Sequence, residues 1–147
     1  MNYQTVQIKR EDSEIPLPKY ASELASGFDL VANETIIFEK QFESRLVNTG
    51  LSMAIPEGFE LQIRPRSGMS FKTLMIIPNS PGTIDADYRG PIKVIFKNLS
   101  PEPFTISKGE RIAQAVLTPV YQALFEEVNE LPPTERGAGG FGSTGTK

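Results

Sequence analysis

Four aspartates, Asp12, Asp29, Asp85 and Asp87, and a complete absence of histidine and cysteine set the chemistry open to this chain. Without imidazole or thiolate there is no Ser-His-Asp triad, no thiol nucleophile, no disulfide and no Cys/His zinc site. Any catalysis within the chain must rest on carboxylates, Lys, Tyr, hydroxyls, backbone dipoles and a hard, oxygen-loving cation. Three of the aspartates sit in suggestive settings. Asp29 follows Gly27-Phe28, while Asp85 and Asp87 lie within Gly82-Thr83-Ile84-Asp85-Ala86-Asp87-Tyr88-Arg89-Gly90, a hairpin-like stretch fenced by glycines. If that piece is extended, alternation places Asp85 and Asp87 on one face. The same residues also suit a turn for purely conformational reasons.

Two segments can hold an anion. Arg64-Pro65-Arg66-Ser67-Gly68 runs from the end of a strand into a possible helical turn, and so can present backbone N–H groups, a hydroxyl and a guanidinium to one phosphate. Arg66 equally suits a surface charge and Ser67 a helix cap. The second segment is the C-terminal tail, which opens on Arg136. Gly occupies positions 137, 139, 140, 142 and 145, Phe141 is the only large side chain, and Ser143 and Thr144 add hydroxyls. Glycine is costly to order and there is little here to bury, so the tail is expected to be mobile in the isolated protein. It reads either as a frayed terminus or as a lid for a ligand with both phosphate and an aromatic ring.

The elements that must position these residues are short strands. The chain has 12 Gly and 12 Pro, spread at close intervals rather than gathered in one linker. Between them the period is mostly two: Phe59, Leu61 and Ile63 alternate with Glu60, Gln62 and Arg64. Glu34 to Phe38, Arg45 to Met53, Ile92 to Lys97, Phe104 to Ile106 and Ile112 to Leu117 are rich in Ile, Val, Phe and Thr, and turn-forming residues bound them. This predicts an all-β, mainly antiparallel domain. Ser67 to Thr73 is a candidate short helix, and Tyr121 to Val128 fits either element. No repeat of roughly 20 to 50 residues is visible, which leaves a sandwich, jelly roll or small barrel.

At 147 residues and 39% hydrophobic content the chain suits one domain with a real core. A formal net charge of -3 argues against broad binding to nucleic acid or an anionic membrane. The first residues lack a basic start and an apolar run, so no signal peptide is expected. The longest apolar runs, such as Leu74 to Ile77, fall far short of the ~20 residues of a bilayer span. A cytoplasmic protein is expected.

Five ordered blocks along nearly the whole chain resemble the trimeric dUTP pyrophosphatase (dUTPase) family: SGFDL (26–30), RPRSGM (64–69), PNSPGTIDADYRG (78–90), KGERIAQ (108–114) and RGAGGFGSTG (136–145). IPLPKYAS, ahead of the first block, is similar to the family's usual entry sequence. One such block alone is weak, whereas five in order and spacing are specific. The resemblance implies a distorted jelly-roll β barrel over residues 1–135. It also implies a homotrimer with active sites shared between subunits, and a mobile arm, 136–147, closing over a neighbour's site. The implied reaction is hydrolysis of dUTP to dUMP and diphosphate, limiting uracil in DNA and supplying dUMP for thymidylate synthesis.

By the same resemblance Asp85 is the base that activates water against the α-phosphorus. Arg66, Ser67, Gly68, Gln114, Arg136, Gly142, Ser143 and Thr144 would contact the phosphates. Mg²⁺ would be chelated mainly by the triphosphate and waters, with Asp29 orienting a metal-bound water. Asn79 and backbone groups of Gly82, Thr83, Ile84 and Lys93 would line the uracil pocket, Tyr88 would exclude a 2'-hydroxyl, and Phe141 would stack on the base. Asp87 and Arg111 are assigned structural roles. The sequence departs from the common family pattern at Ser26, at Phe28 and at Lys72-Thr73-Leu74. A nucleotide-gated interaction protein of phage dUTPase type is the alternative. It would call for a sizeable extra segment between the fourth and fifth blocks, and Thr118 to Glu135 is too short for one. The related dCTP deaminase branch is disfavoured by the full third block and the terminal arm.

Overall fold

A computed structural model describes residues 3–140. Among them the chain forms eleven strands and one short helix: β1 (Gln7–Arg10), β2 (Phe28–Val31), β3 (Ile36–Phe38), β4 (Ser44–Asn48), β5 (Leu51–Ala54), β6 (Phe59–Pro65), α1 (Ser67–Lys72), β7 (Met75–Ile76), β8 (Gly82–Ile84), β9 (Lys93–Asn98), β10 (Phe104–Ile106) and β11 (Arg111–Pro119). The strands pair antiparallel in four small sheets, ordered β1-β5, β10-β3, β2-β11-β6-β8 and β4-β9-β7.

Alternation decides which way each strand faces. Leu61 and Ile63 of β6 and Val94 and Phe96 of β9 are buried, while Arg64 and Lys93 are exposed. The inward faces of all four sheets meet in one core around Leu30, Phe38, Val47, Leu61, Ile92, Phe96, Ile106 and Ile112. Each large side chain so buried contributes about 1.5–3 kcal/mol of transfer free energy. The sheets wrap this core as a distorted jelly roll, as expected. No described helix is long and apolar enough to cross a membrane.

Three local expectations need correcting. The run Arg45 to Met53 is two strands, because Thr49 and Gly50 break it. Thr49 turns its hydroxyl onto the Ile92 carbonyl at 2.7 Å, and Gly50 takes φ +69°. Tyr121 to Val128 is neither helix nor strand: Tyr121, Leu124 and Phe125 are almost fully exposed. Ser67 starts α1 but does not cap it. The cap position is Arg66, with no side-chain cap bond. At the helix end the Thr73 hydroxyl donates to the Met69 carbonyl (2.8 Å) and accepts from Met75 N–H (3.2 Å), which turns the chain into β7.

Gly50 offers a direct test of this architecture. Its φ is left-handed, and a Cβ there would strike Ile15 Cδ1 and stand 2.8 Å from Asn33 Nδ2. Gly50→Ala should therefore destabilise the protein by about 2 kcal/mol or more, combining backbone strain with overpacking. Urea unfolding at fixed protein concentration reads this directly. An unchanged midpoint would contradict the packing described.

Candidate active site

The first cleft is built on β8, the edge strand that pairs Gly82 with Ile63 and Ile84 with Leu61. Gly82 matters for its missing side chain: a Cβ there would lie 3.3 Å from both Asn79 Nδ2 and Ile63 Cβ, so glycine lets the Asn79 amide and β6 approach. Asp85 follows at once, but the strand does not continue through it. Tyr88 N–H donates to the Asp85 carbonyl at 3.2 Å, closing a turn over Ala86 and Asp87. Asp85 and Asp87 thus do not share the face of an extended strand, and Asp87 makes no ion pair among the described residues. The Arg89 guanidinium ties the loop down, donating to the carbonyls of Ala86 (2.6 Å) and Tyr88 (2.9 Å). The Tyr88 hydroxyl donates to the Pro91 carbonyl at 3.1 Å.

These contacts frame a cleft of about 360 Å³ that holds Asn79, Gly82, Thr83, Ile84, Asp85, Tyr88 and Lys93 together. All seven were expected from the third block and its sequel. Its apolar walls, among them Leu46, Ile63, Ile77 and Ile95, were not. They come from three strands and a loop that no local motif connects. Apolar walls with a few convergent polar groups make a typical small-molecule site.

The second cleft, about 340 Å³, brings together Asp29, Arg66, Ser67, Gly68 and Gln114. Asp29 on β2 and Gln114 on β11 are direct register partners. Arg66 is no free surface charge. Its Nε donates to Asp29 Oδ1 at 2.8 Å and its Nη1 to the Arg111 carbonyl at 3.3 Å. Arg111 in turn donates through Nη1 to Asp29 Oδ2 at 3.3 Å, and Gln114 Nε2 donates to the Pro65 carbonyl at 2.8 Å. Two guanidinium groups on one carboxylate leave a net positive site, suited to a polyanion. Arg111, expected to play a structural role, also lines this cleft and holds Asp29.

Strict alternation would point Arg111 and Gln114 to opposite faces of β11. A register shift between Arg111 and Ala113 changes this, burying Ile112 and Ala113 in succession and returning both polar side chains to the same cleft. Such bulges re-aim side chains at functional sites.

The donor set also says what kind of cation would fit. Among the described residues no group of three acidic, His or Cys side chains is placed to hold a metal. Both Asp29 oxygens already accept from guanidinium groups. Such a site suits Mg²⁺ carried on a ligand's own oxygens and waters, with the remaining Asp29 lone pairs accepting from one of those waters.

The two clefts share no residue. Arg136 lines neither cleft and donates through Nε to the Gly139 carbonyl at 2.8 Å. Phe141, Gly142, Ser143 and Thr144 lie outside the described residues.

Known proteins match this chain in sequence and in fold. A model of the dUTPase family matches residues 13–145. A deoxyuridine 5'-triphosphate nucleotidohydrolase of Nautilia profundicola is 54% identical over 140 residues, covering 95% of this chain and 98% of that one. One of Rickettsia felis is 51% identical over 147 residues, covering 99% of each. Among solved structures, a Staphylococcus bacteriophage 80alpha dUTPase with dUpNHpp matches with a TM-score of 0.88 at 30% identity, over 98% of this chain and 100% of that one. A dUTPase from phage phi11 of S. aureus, described with a structural Mg(II) ion, matches with a TM-score of 0.79 at 25% identity over 86% and 98%. Matched from Ser13 to Gly145 by the family's own pattern, and about half identical to relatives over nearly its full length, the chain belongs to the dUTPase family.

Proposed function

We propose that the chain hydrolyses dUTP to dUMP and diphosphate in the cytoplasm, with Asp85 as the base. The observation that carries this reading is the placement of Asp85 in one cleft with Asn79, the Gly82–Ile84 strand and Tyr88. The Asp85 carboxylate accepts a proton from water as that water's oxygen bonds to the α-phosphorus. The bond from this phosphorus to the oxygen bridging the β-phosphate breaks, and diphosphate leaves with the electron pair. Mg²⁺ bound with the triphosphate supplies charge neutralisation, and Asp29 is the residue that would hold one of its waters. Arg66, Ser67, Gly68 and Gln114 grip and align the phosphates.

Asn79 and the backbone of Gly82, Thr83, Ile84 and Lys93 read the uracil edge. Cytosine would leave donors and acceptors there unmatched. Tyr88 lies where a 2'-hydroxyl would clash. The separation of the two clefts, which share no residue, supports a site completed between subunits of a homotrimer, the base cleft from one copy and the phosphate cleft from another. The segment 136–147 then serves as a separate arm that brings Arg136, Phe141, Gly142, Ser143 and Thr144 to a neighbour's ligand.

Pyrophosphate release from dUTP, UTP, dCTP and dTTP, with Mg²⁺ and with chelator, tests the reading. Turnover is expected for dUTP with Mg²⁺, with dCTP disfavoured by about 10⁴-fold, as for a site built to pair a polar edge. Comparable turnover of dCTP or dTTP would refute it.

A further inference from the structure

We propose that Gly90 is a positioning residue for sugar selection, the floor that keeps the Tyr88 ring in the wall of the base cleft. The inference rests on the hydrolase reading above. Tyr88 leaves the Asp85 turn and doubles back, so that its hydroxyl reaches the Pro91 carbonyl and the ring passes over Gly90. A Cβ built on Gly90 would stand 2.6 Å from Tyr88 Cζ and 3.0 Å from Cε2, and would overlap the hydroxyl.

No real carbon approaches that closely, so a side chain at position 90 and this placement of the ring exclude each other. The three nearest atoms all belong to the Tyr88 side chain. Gly90 is not among the positive-φ glycines, so no left-handed strain adds to that conflict. Nor can the loop give way easily. Tyr88 N–H holds the Asp85 carbonyl, and Arg89 holds the carbonyls of Ala86 and Tyr88. Relief must come from rotation of the Tyr88 side chain, which breaks its bond to Pro91 and carries the ring off the cleft wall.

Core packing does not fix that ring, because Tyr88 is 42% exposed. Its place depends on two short-range features, the Pro91 bond and the absence of a Cβ at Gly90. The glycine thereby sets how much room stands beside the sugar, without touching the ligand itself.

The test is a double-mutant cycle of Gly90→Ala and Tyr88→Ala, read as kcat/KM for dUTP and for UTP and as thermal midpoints at one protein concentration. Gly90→Ala should narrow the preference for dUTP over UTP by about tenfold or more, the scale of a small steric misfit. In the Tyr88→Ala background, adding Gly90→Ala should change that preference by no more than about twofold. If Gly90→Ala alone lowers the midpoint, the double variant should recover relative to it, since the clashing ring is gone. An unchanged preference in Gly90→Ala, or an equal loss with and without the Tyr88 ring, would overturn the role of Gly90. A wild-type protein inert towards dUTP would overturn the hydrolase reading and the sugar role with it. An active wild type whose preference Gly90→Ala leaves intact would overturn the role of Gly90 alone.

Discussion

Asp85→Asn lowers kcat for dUTP by about 10²- to 10⁴-fold, the contribution of a positioned general base, while dUTP affinity stays nearly constant. The Asn side chain matches the carboxylate in shape and can still accept a hydrogen bond from water. What it cannot do is take the proton as the new P–O bond forms. Asp85 is exposed, follows the last residue of β8 and contributes its backbone carbonyl, not its side chain, to the turn closed by Tyr88. The variant should therefore fold as the wild type does. With no histidine in the chain, no imidazole stands by to replace the lost base. Single-turnover pyrophosphate release gives the rate, and titration calorimetry with dUpNHpp gives the affinity. Turnover within a few-fold of wild type would remove Asp85 from the mechanism.

Arg66→Ala is expected to cut kcat/KM by roughly 10- to 150-fold, the 1.5–3 kcal/mol of a hydrogen bond to a charged group. Arg66 commits Nε to Asp29 and Nη1 to the Arg111 carbonyl, which orients the guanidinium and leaves its other N–H groups to a phosphate. Its loss removes that grip and also releases one oxygen of Asp29, leaving the carboxylate to Arg111 alone. The effect should fall on KM and kcat together, because the phosphates would be both bound and aligned less well. Lysine should not restore it, since an ammonium cannot hold Asp29 and present a planar fork at once. Steady-state kinetics of the Ala and Lys variants decide this. A Lys variant with wild-type kcat/KM would reduce Arg66 to a point charge.

Much of the site could be read in one dimension because its pieces are local. Gly82 to Tyr88 carries the edge strand, the glycine gap, the turn and the base within one stretch, so its residues stay together whatever the rest of the chain does. Arg66, Ser67 and Gly68 are likewise adjacent, and the short helix expected after them is present. Strand identities followed from period-two alternation in β6 and the longer apolar runs, whereas β1, β2 and β7 are too short for alternation to mark them and were not expected. That alternation also misled where Thr49 and Gly50 intervene: Arg45 to Met53 reads as one strand until the positive φ of Gly50 divides it.

The sequence by itself determined the chemistry available, a carboxylate base without imidazole or thiol, together with the ordered blocks and an all-β chain rich in turns. Those depend on residue type and short-range spacing, which a linear reading preserves. Only the tertiary structure decided that Arg111 shares a cleft with Gln114, because one bulged residue in β11 reverses which face its neighbours occupy. It alone also decided that the base and the phosphate grip line two separate clefts. Facing is a property of register between strands far apart in the chain, set by which side must bury its apolar residues, and no single segment carries it.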